Sequence, residues 1–148
     1  MISRFLVSIV ASFISMAHPR DHTLSVLQTT CLSEAVYFES RGEGTTGMNA
    51  VAYVILNRTR LKHKTICEVI HQRGQFSFYN LHRRLEVRDL DAWRKSVRVS
   101  IDTQIGIAPN PIGDAIYYNT RPMYIRNTRF VRKINHQYFY RTYHRYRQ

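Results

Sequence analysis

One carboxylate stands where the hydrophobic pattern calls for an apolar residue. Leu32, Ala35 and Val36 form an i, i+3, i+4 stripe, and the i+7 position of that stripe is Glu39. A carboxyl group held against a core or cleft floor has its pKa raised by desolvation, which is what a general acid near neutral pH requires. The same placement also suits a structural role, with Glu39 paired to Arg41 or to a backbone amide. Glu43, one turn further on and past Gly42, reads as a solvated loop residue or a cap for the next helix. Glu34 falls on the opposite, polar face.

Two other groups have spacings that suggest chemistry. His63, Cys67 and His71 recur every four residues, which a helix would align toward a metal. Thr65 and Glu68, however, make a Thr-x-x-Glu capping box, so a helix starting there leaves His63 outside it and a closed zinc site short of ligands. No metal is expected. Cys31 and Cys67 are the only cysteines. In an oxidising compartment they would pair, and otherwise they would be two buried free thiols.

The elements that must position Glu39 can be read from periodicity. Leu24, Leu27, Cys31, Leu32, Ala35 and Val36 predict a first helix, capped by Asp21 or Thr23 and stopped by Gly42 and Gly44. A second helix is expected over 46–60, apolar on every side through Ala50–Leu56 and therefore central. A third spans about 65–72. A fourth, amphipathic, spans 87–105 and ends at Gly106 and the Pro109-Asn110-Pro111 turn. Segments 115–119, 129–134 and 137–143 are rich in aromatic and β-branched residues and read as short strands. The expected class is α+β: a helix-rich single domain with a small C-terminal antiparallel sheet.

The 148 residues hold one domain, and 22 Lys and Arg against 10 Asp and Glu give a net charge of +12. Such a surface attracts a polyanion: nucleic acid, anionic lipid or an acidic cell-wall polymer. After Asp114 there is no acidic residue, while Arg121, Arg126, Arg129, Arg132, Lys133, Arg141, Arg145 and Arg147 alternate with tyrosines. That pattern suits stacking beside anionic groups, and equally a solvated strand face with a frayed tail. At the other end, Met1–Arg4 is basic, Phe5–Ala17 is uncharged and mostly apolar, and Ser15 and Ala17 fit a cleavage site. Residues 1–17 read as a signal peptide and 18–148 as the mature domain, the alternative being an uncleaved N-terminal anchor or a buried helix. The apolar stretch is too short for a membrane span, so an exported protein of the periplasm or cell envelope is expected.

Cys31–Gly44 (CLSEAVYFESRGEG), Gly47, Ala50-Val51-Ala52 and Val54-Ile55-Leu56-Asn57-Arg58 together resemble the cell wall hydrolase family typified by spore cortex-lytic enzymes. Thr65-Ile66-Cys67, Gln75-Phe76-Ser77-Phe78, Gly113-Asp114-Ala115 with Tyr118, and His136–Arg141 follow in the family's order, covering about residues 30–141. The resemblance implies a lysozyme-like α+β fold and cleavage of peptidoglycan glycan strands, with Glu39 matching the catalytic glutamate. Many exported members carry further cysteines near the Gln-Phe-Ser-Phe segment, where this chain has Gly74 and Tyr79. If those cysteines pair with each other, Cys31 and Cys67 remain as a natural pair. The family's histidines near 115–119 are replaced here by Tyr117 and Asn119.

A lytic transglycosylase needs only one acid. Its glutamate protonates the glycosidic oxygen and then takes the proton of the muramyl 6-hydroxyl, so no water attacks and no second carboxylate is obligatory. Gln75, Ser77, Tyr118 and Tyr140 are the candidates for positioning sugar amides and hydroxyls, though each type also serves as a satisfied structural polar group. A lysozyme-type muramidase would enlist Glu43 as the second carboxylate. A basic nucleic-acid-binding module would explain the charge but not the leader or the Glu39 block. The expected partner is therefore a peptidoglycan strand and not nucleic acid, met by a monomer that needs no cofactor.

Overall fold

A computed structural model describes residues 24–76 and 86–143. The expected signal peptide, the Asp21 and Thr23 caps, Ser77, Arg145 and Arg147 lie outside the described residues. Among the described residues four helices precede three strands: α1 (Val26–Ser40), α2 (Gly44–Lys62), α3 (Ile66–Ile70), α4 (Leu90–Gln104), β1 (Tyr117–Asn119), β2 (Thr128–Ile134) and β3 (Gln137–Thr142). The strands form one antiparallel sheet in the order β1-β3-β2. The chain is a helix-rich α+β domain.

α1 packs against α2, α3 and α4 at once. Nine of its fifteen residues are buried, including Thr29, Thr30, Ser33 and Ser40. Hydroxyls are tolerated there because they bond back into the helix. Thr30 and Ser33 donate to the carbonyls of Val26 and Thr29 at 2.7 Å, and Ser40 donates to that of Val36 at 2.8 Å. The expected polar face is thus absent, and Glu34 is half-buried rather than solvated. Desolvation raises its carboxyl pKa to about 7. Among the described residues the cap of α1 is Ser25, whose hydroxyl accepts from the Gln28 amide.

α2 is the other central helix, buried without interruption from Gly47 to Arg58 as its apolar run predicts. It starts two residues earlier and ends two later than expected. Gly44 enters at φ +67°, and His63 leaves at φ 51°, its backbone N–H donating to the Thr59 carbonyl. α3 has the complete Thr65–Glu68 capping box. The Cys31–Cys67 disulfide, with Cα atoms 5.4 Å apart, staples α3 to α1. Closing a loop of this length stabilises by about 3–4 kcal/mol in the chain-entropy model. α4 is shorter than expected, with Asp89 as its cap, and buries Trp93, Val97 and Ile101 against Tyr37 of α1.

The sheet is anchored on α2 by two polar side chains at the end of its apolar run. Asn57 Nδ2 donates to the carbonyls of Gly113 (2.8 Å) and Ala115 (2.9 Å). Arg58 Nε donates to that of Ile116 at 2.7 Å. These bonds fix the segment leading into β1, and with it the position of Tyr118.

Candidate active site

Glu39 occupies the last turn of α1, half-buried, where that helix meets the sheet. The Tyr118 hydroxyl, on β1, donates to Glu39 Oε2 at 2.9 Å. Gln137, on the neighbouring β3, donates from Nε2 to the Glu39 backbone carbonyl at 3.2 Å, satisfying an acceptor the helix end would otherwise leave orphaned. Carboxyl and backbone of one residue are therefore held by two adjacent strands.

Arg58 supplies the nearby positive charge. It is buried, tied to Ile116 through Nε, and its guanidinium lies 5.6 Å from the centre of the Phe76 ring. Opposing influences act on the Glu39 carboxyl. Burial pushes its pKa up; the Tyr118 hydrogen bond and the Arg58 charge pull it down, and burial wins. The Tyr118 phenol is raised well above its ordinary value by burial and by the adjacent Glu39, so it stays a neutral donor. The Arg41 guanidinium, one partner expected for a structural Glu39, lies over the Tyr37 ring instead, 4.8 Å from its centre.

Glu43 is placed differently. Its side chain is only 15% exposed, and its carboxylate accepts from the His136 backbone amide at 3.1 Å and lies 3.3 Å from His136 Nδ1. Asn135 Nδ2 also donates to its carbonyl. Glu43 is thus neither a solvated loop residue nor a side-chain cap of α2, for which it makes no capping hydrogen bond. Its carboxylate is spent on the β2–β3 turn, where Asn135 has φ 48°.

Of the other expected site residues, Tyr118 reaches Glu39 and Tyr140 does not. Tyr118 pairs with Phe139, and their rings are 5.9 Å apart on the core side of the sheet. Tyr140, one residue along β3, belongs to the opposite face, packed on Phe130 and accepting from the Met123 amide at 3.0 Å. Gln75 is exposed in the turn after α3, beside the buried Phe76 that Arg58 overlies. Arg58 and Gln137 are functional candidates that spacing alone does not single out; the signal for them in the sequence is an arginine just after the apolar run of α2 and a glutamine opening an aromatic strand.

The family model described as Cell Wall Hydrolase matches residues 42–140, about two thirds of the chain. This chain belongs to the Cell Wall Hydrolase family. Among curated proteins and among solved structures, none matches it. Membership makes this cell wall hydrolase a peptidoglycan-degrading enzyme. The match includes Arg58, Tyr118 and Gln137 and begins three residues after Glu39. The case for Glu39 itself therefore rests on its geometry and on the resemblance of the Cys31–Gly44 block. Among the described residues, no helix is long and apolar enough to cross a membrane.

Proposed function

We propose that this cell wall hydrolase is an exported lytic transglycosylase. It would cleave the β-1,4 bond between N-acetylmuramic acid and N-acetylglucosamine with Glu39 as both acid and base. The observation that carries this reading is the desolvated Glu39 carboxyl, hydrogen-bonded by Tyr118, while Glu43 is committed to His136. One carboxyl group is then available for two proton transfers.

In the first transfer Glu39 gives its proton to the glycosidic oxygen as the bond from that oxygen to the muramyl anomeric carbon breaks. The leaving N-acetylglucosamine keeps the proton. The resulting carboxylate is steadied by the Tyr118 hydroxyl and the Arg58 charge. In the second transfer the muramyl 6-hydroxyl bonds to the anomeric carbon and its proton returns to Glu39. A 1,6-anhydro ring closes, no water is consumed, and the enzyme is restored. The substrate lies outside the cytoplasmic membrane, which supports placing the enzyme in the periplasm or cell envelope.

Mass spectrometry of digested sacculi tests the reading. Products ending in 1,6-anhydromuramic acid, about 18 Da lighter than hydrolytic ends, are expected. Reducing muramic ends would shift the assignment to a muramidase. Glu39→Gln should fold and lose at least roughly a hundredfold in rate, the lower range for removing a general acid. A fully active Glu39→Gln would overturn both. Binding of DNA at physiological salt without any release of wall fragments would favour the nucleic-acid reading instead.

A further inference from the structure

We propose a second binding surface, distant from Glu39: the groove between β2, β3 and the 111–114 loop, where Arg129, Arg132 and Arg141 hold carboxylates of a peptidoglycan strand. The choice of polymer rests on the proposed function; the groove and its charge do not.

The groove has a volume of about 580 Å³ and is lined by segments 111–114 and 129–132 together with Arg141. Its charge is built against local preference. Arg129 and Arg141 are directly opposite each other in the β2–β3 register. Like charges in that position destabilise a sheet unless something neutralises them. Arg141 reaches Asp114 Oδ1 at 3.4 Å, and Arg132 donates from Nη1 to the Pro111 carbonyl at 3.1 Å. These bonds hold two guanidiniums at the wall of the groove. Three guanidiniums and one carboxylate leave it cationic, and after Asp114 the chain has no acidic residue to offset them.

The spacing points to carboxylates. The facing arginines are about 5 Å apart at their Cα atoms, and a β-bulge between Phe130 and Arg132 sets Arg132 opposite Phe139, on the same face as Arg129 and Arg141 and about 7 Å along the sheet from them. That spread suits monovalent groups distributed along a polymer, each met by a planar guanidinium fork, better than one compact phosphate. Asp114 within the groove opposes a dianion further. The groove is also not part of the catalytic site. Along β3, Arg141 is about 14 Å from Gln137, which touches Glu39, with buried Phe139 between them.

The test measures co-sedimentation with purified sacculi in the Glu39→Gln background, so retention is read without turnover and independently of the cleavage products. Adding Arg129→Gln and Arg132→Gln should weaken retention at low salt by roughly fivefold, with the gap closing as salt screens the contact. Arg129→Gln alone, whose side chain anchors no loop, should give about half that effect in free-energy terms. Arg94→Gln with Lys95→Gln on α4 removes the same charge elsewhere and should change retention far less. Sacculi stripped of phosphate polymers should bind as before, and sacculi with amidated carboxyl groups should not. Equal weakening by the α4 variant, binding that survives amidation, or binding lost on stripping phosphate would each overturn the proposal.

Discussion

The Tyr118 hydroxyl, carried by the edge strand β1, donates to Glu39 Oε2 across 2.9 Å, linking residues 79 positions apart in the chain. This bond stabilises the charged form of Glu39, so it acts against the burial that raises the carboxyl pKa. Tyr118→Phe keeps the ring that packs on Phe139 and removes only the donor. The Glu39 pKa should then rise further. Protonated Glu39 is the form that starts the reaction, so activity falls as pH rises through its pKa, and in Tyr118→Phe that fall should begin at higher pH. The turnover number should drop about tenfold, because the carboxylate formed after proton donation loses a charge-assisted bond of about 1.5–3 kcal/mol. An unmoved pH limb in the kcat/KM profile would mean that Tyr118 is only a packing residue.

Arg58 combines two roles that substitution can separate. Its Nε bond to the Ile116 carbonyl positions β1, and its charge lowers the Glu39 pKa. Arg58→Lys and Arg58→Met both lose the fork and leave that carbonyl without its partner. Both should lose about 1–3 kcal/mol of stability in denaturant melts. Only Arg58→Met removes the charge, so only it should move the basic limb of the kcat/KM profile upward. Identical pH profiles for the two variants would remove the electrostatic role.

Much of this frame was legible in the sequence because it rests on local rules. The Thr65–Glu68 box set the start of α3, the apolar run Ala50–Leu56 marked the central helix, and the interrupted stripe singled out Glu39. What could not be read depends on long-range packing. Glu34 looked solvated because periodicity sees one helix face at a time, whereas α1 is packed by three other helices. Tyr118 and Tyr140 looked equivalent as strand tyrosines, and only the β1–β3 register puts them on opposite faces. The commitment of Glu43 to His136 depends on a hairpin turn 92 residues downstream.

Glu34 makes stability depend on pH. Its carboxyl has a pKa of about 7 in the folded protein against 4.5 in its ordinary state, with desolvation as the leading cause. Between those values the native state binds more protons than the unfolded chain. The stabilisation is therefore full below about pH 4.5 and is lost as pH rises through about 7, a difference of up to about 3 kcal/mol. Glu34→Gln keeps the shape without the charge. At pH 8 it should be more stable than wild type in urea melts, and near pH 4.5 the two should converge. A constant difference across that range would show that Glu34 does not titrate in the folded state.

Glu43 decides between one-carboxylate and two-carboxylate chemistry. Its side chain accepts the His136 amide, and Asn135 donates to its backbone carbonyl, so its evident work is to join the start of α2 to the β2–β3 turn. Glu43→Gln retains an oxygen that can accept from His136 and loses only the charge. Activity on sacculi should stay within about threefold of wild type, because a reaction whose nucleophile is the substrate's own hydroxyl needs no base to activate water. Glu43→Ala removes the acceptor as well and should lower stability by about 1–2 kcal/mol through the unpaired amide, with turnover at saturating substrate largely kept. The contrary result would be informative in a specific way. A Glu43→Gln enzyme that folds normally yet loses roughly a hundredfold in rate would place this carboxylate in the chemical step. His136 would then be the residue that orients it, and the reaction would be hydrolysis by the pair Glu39 and Glu43.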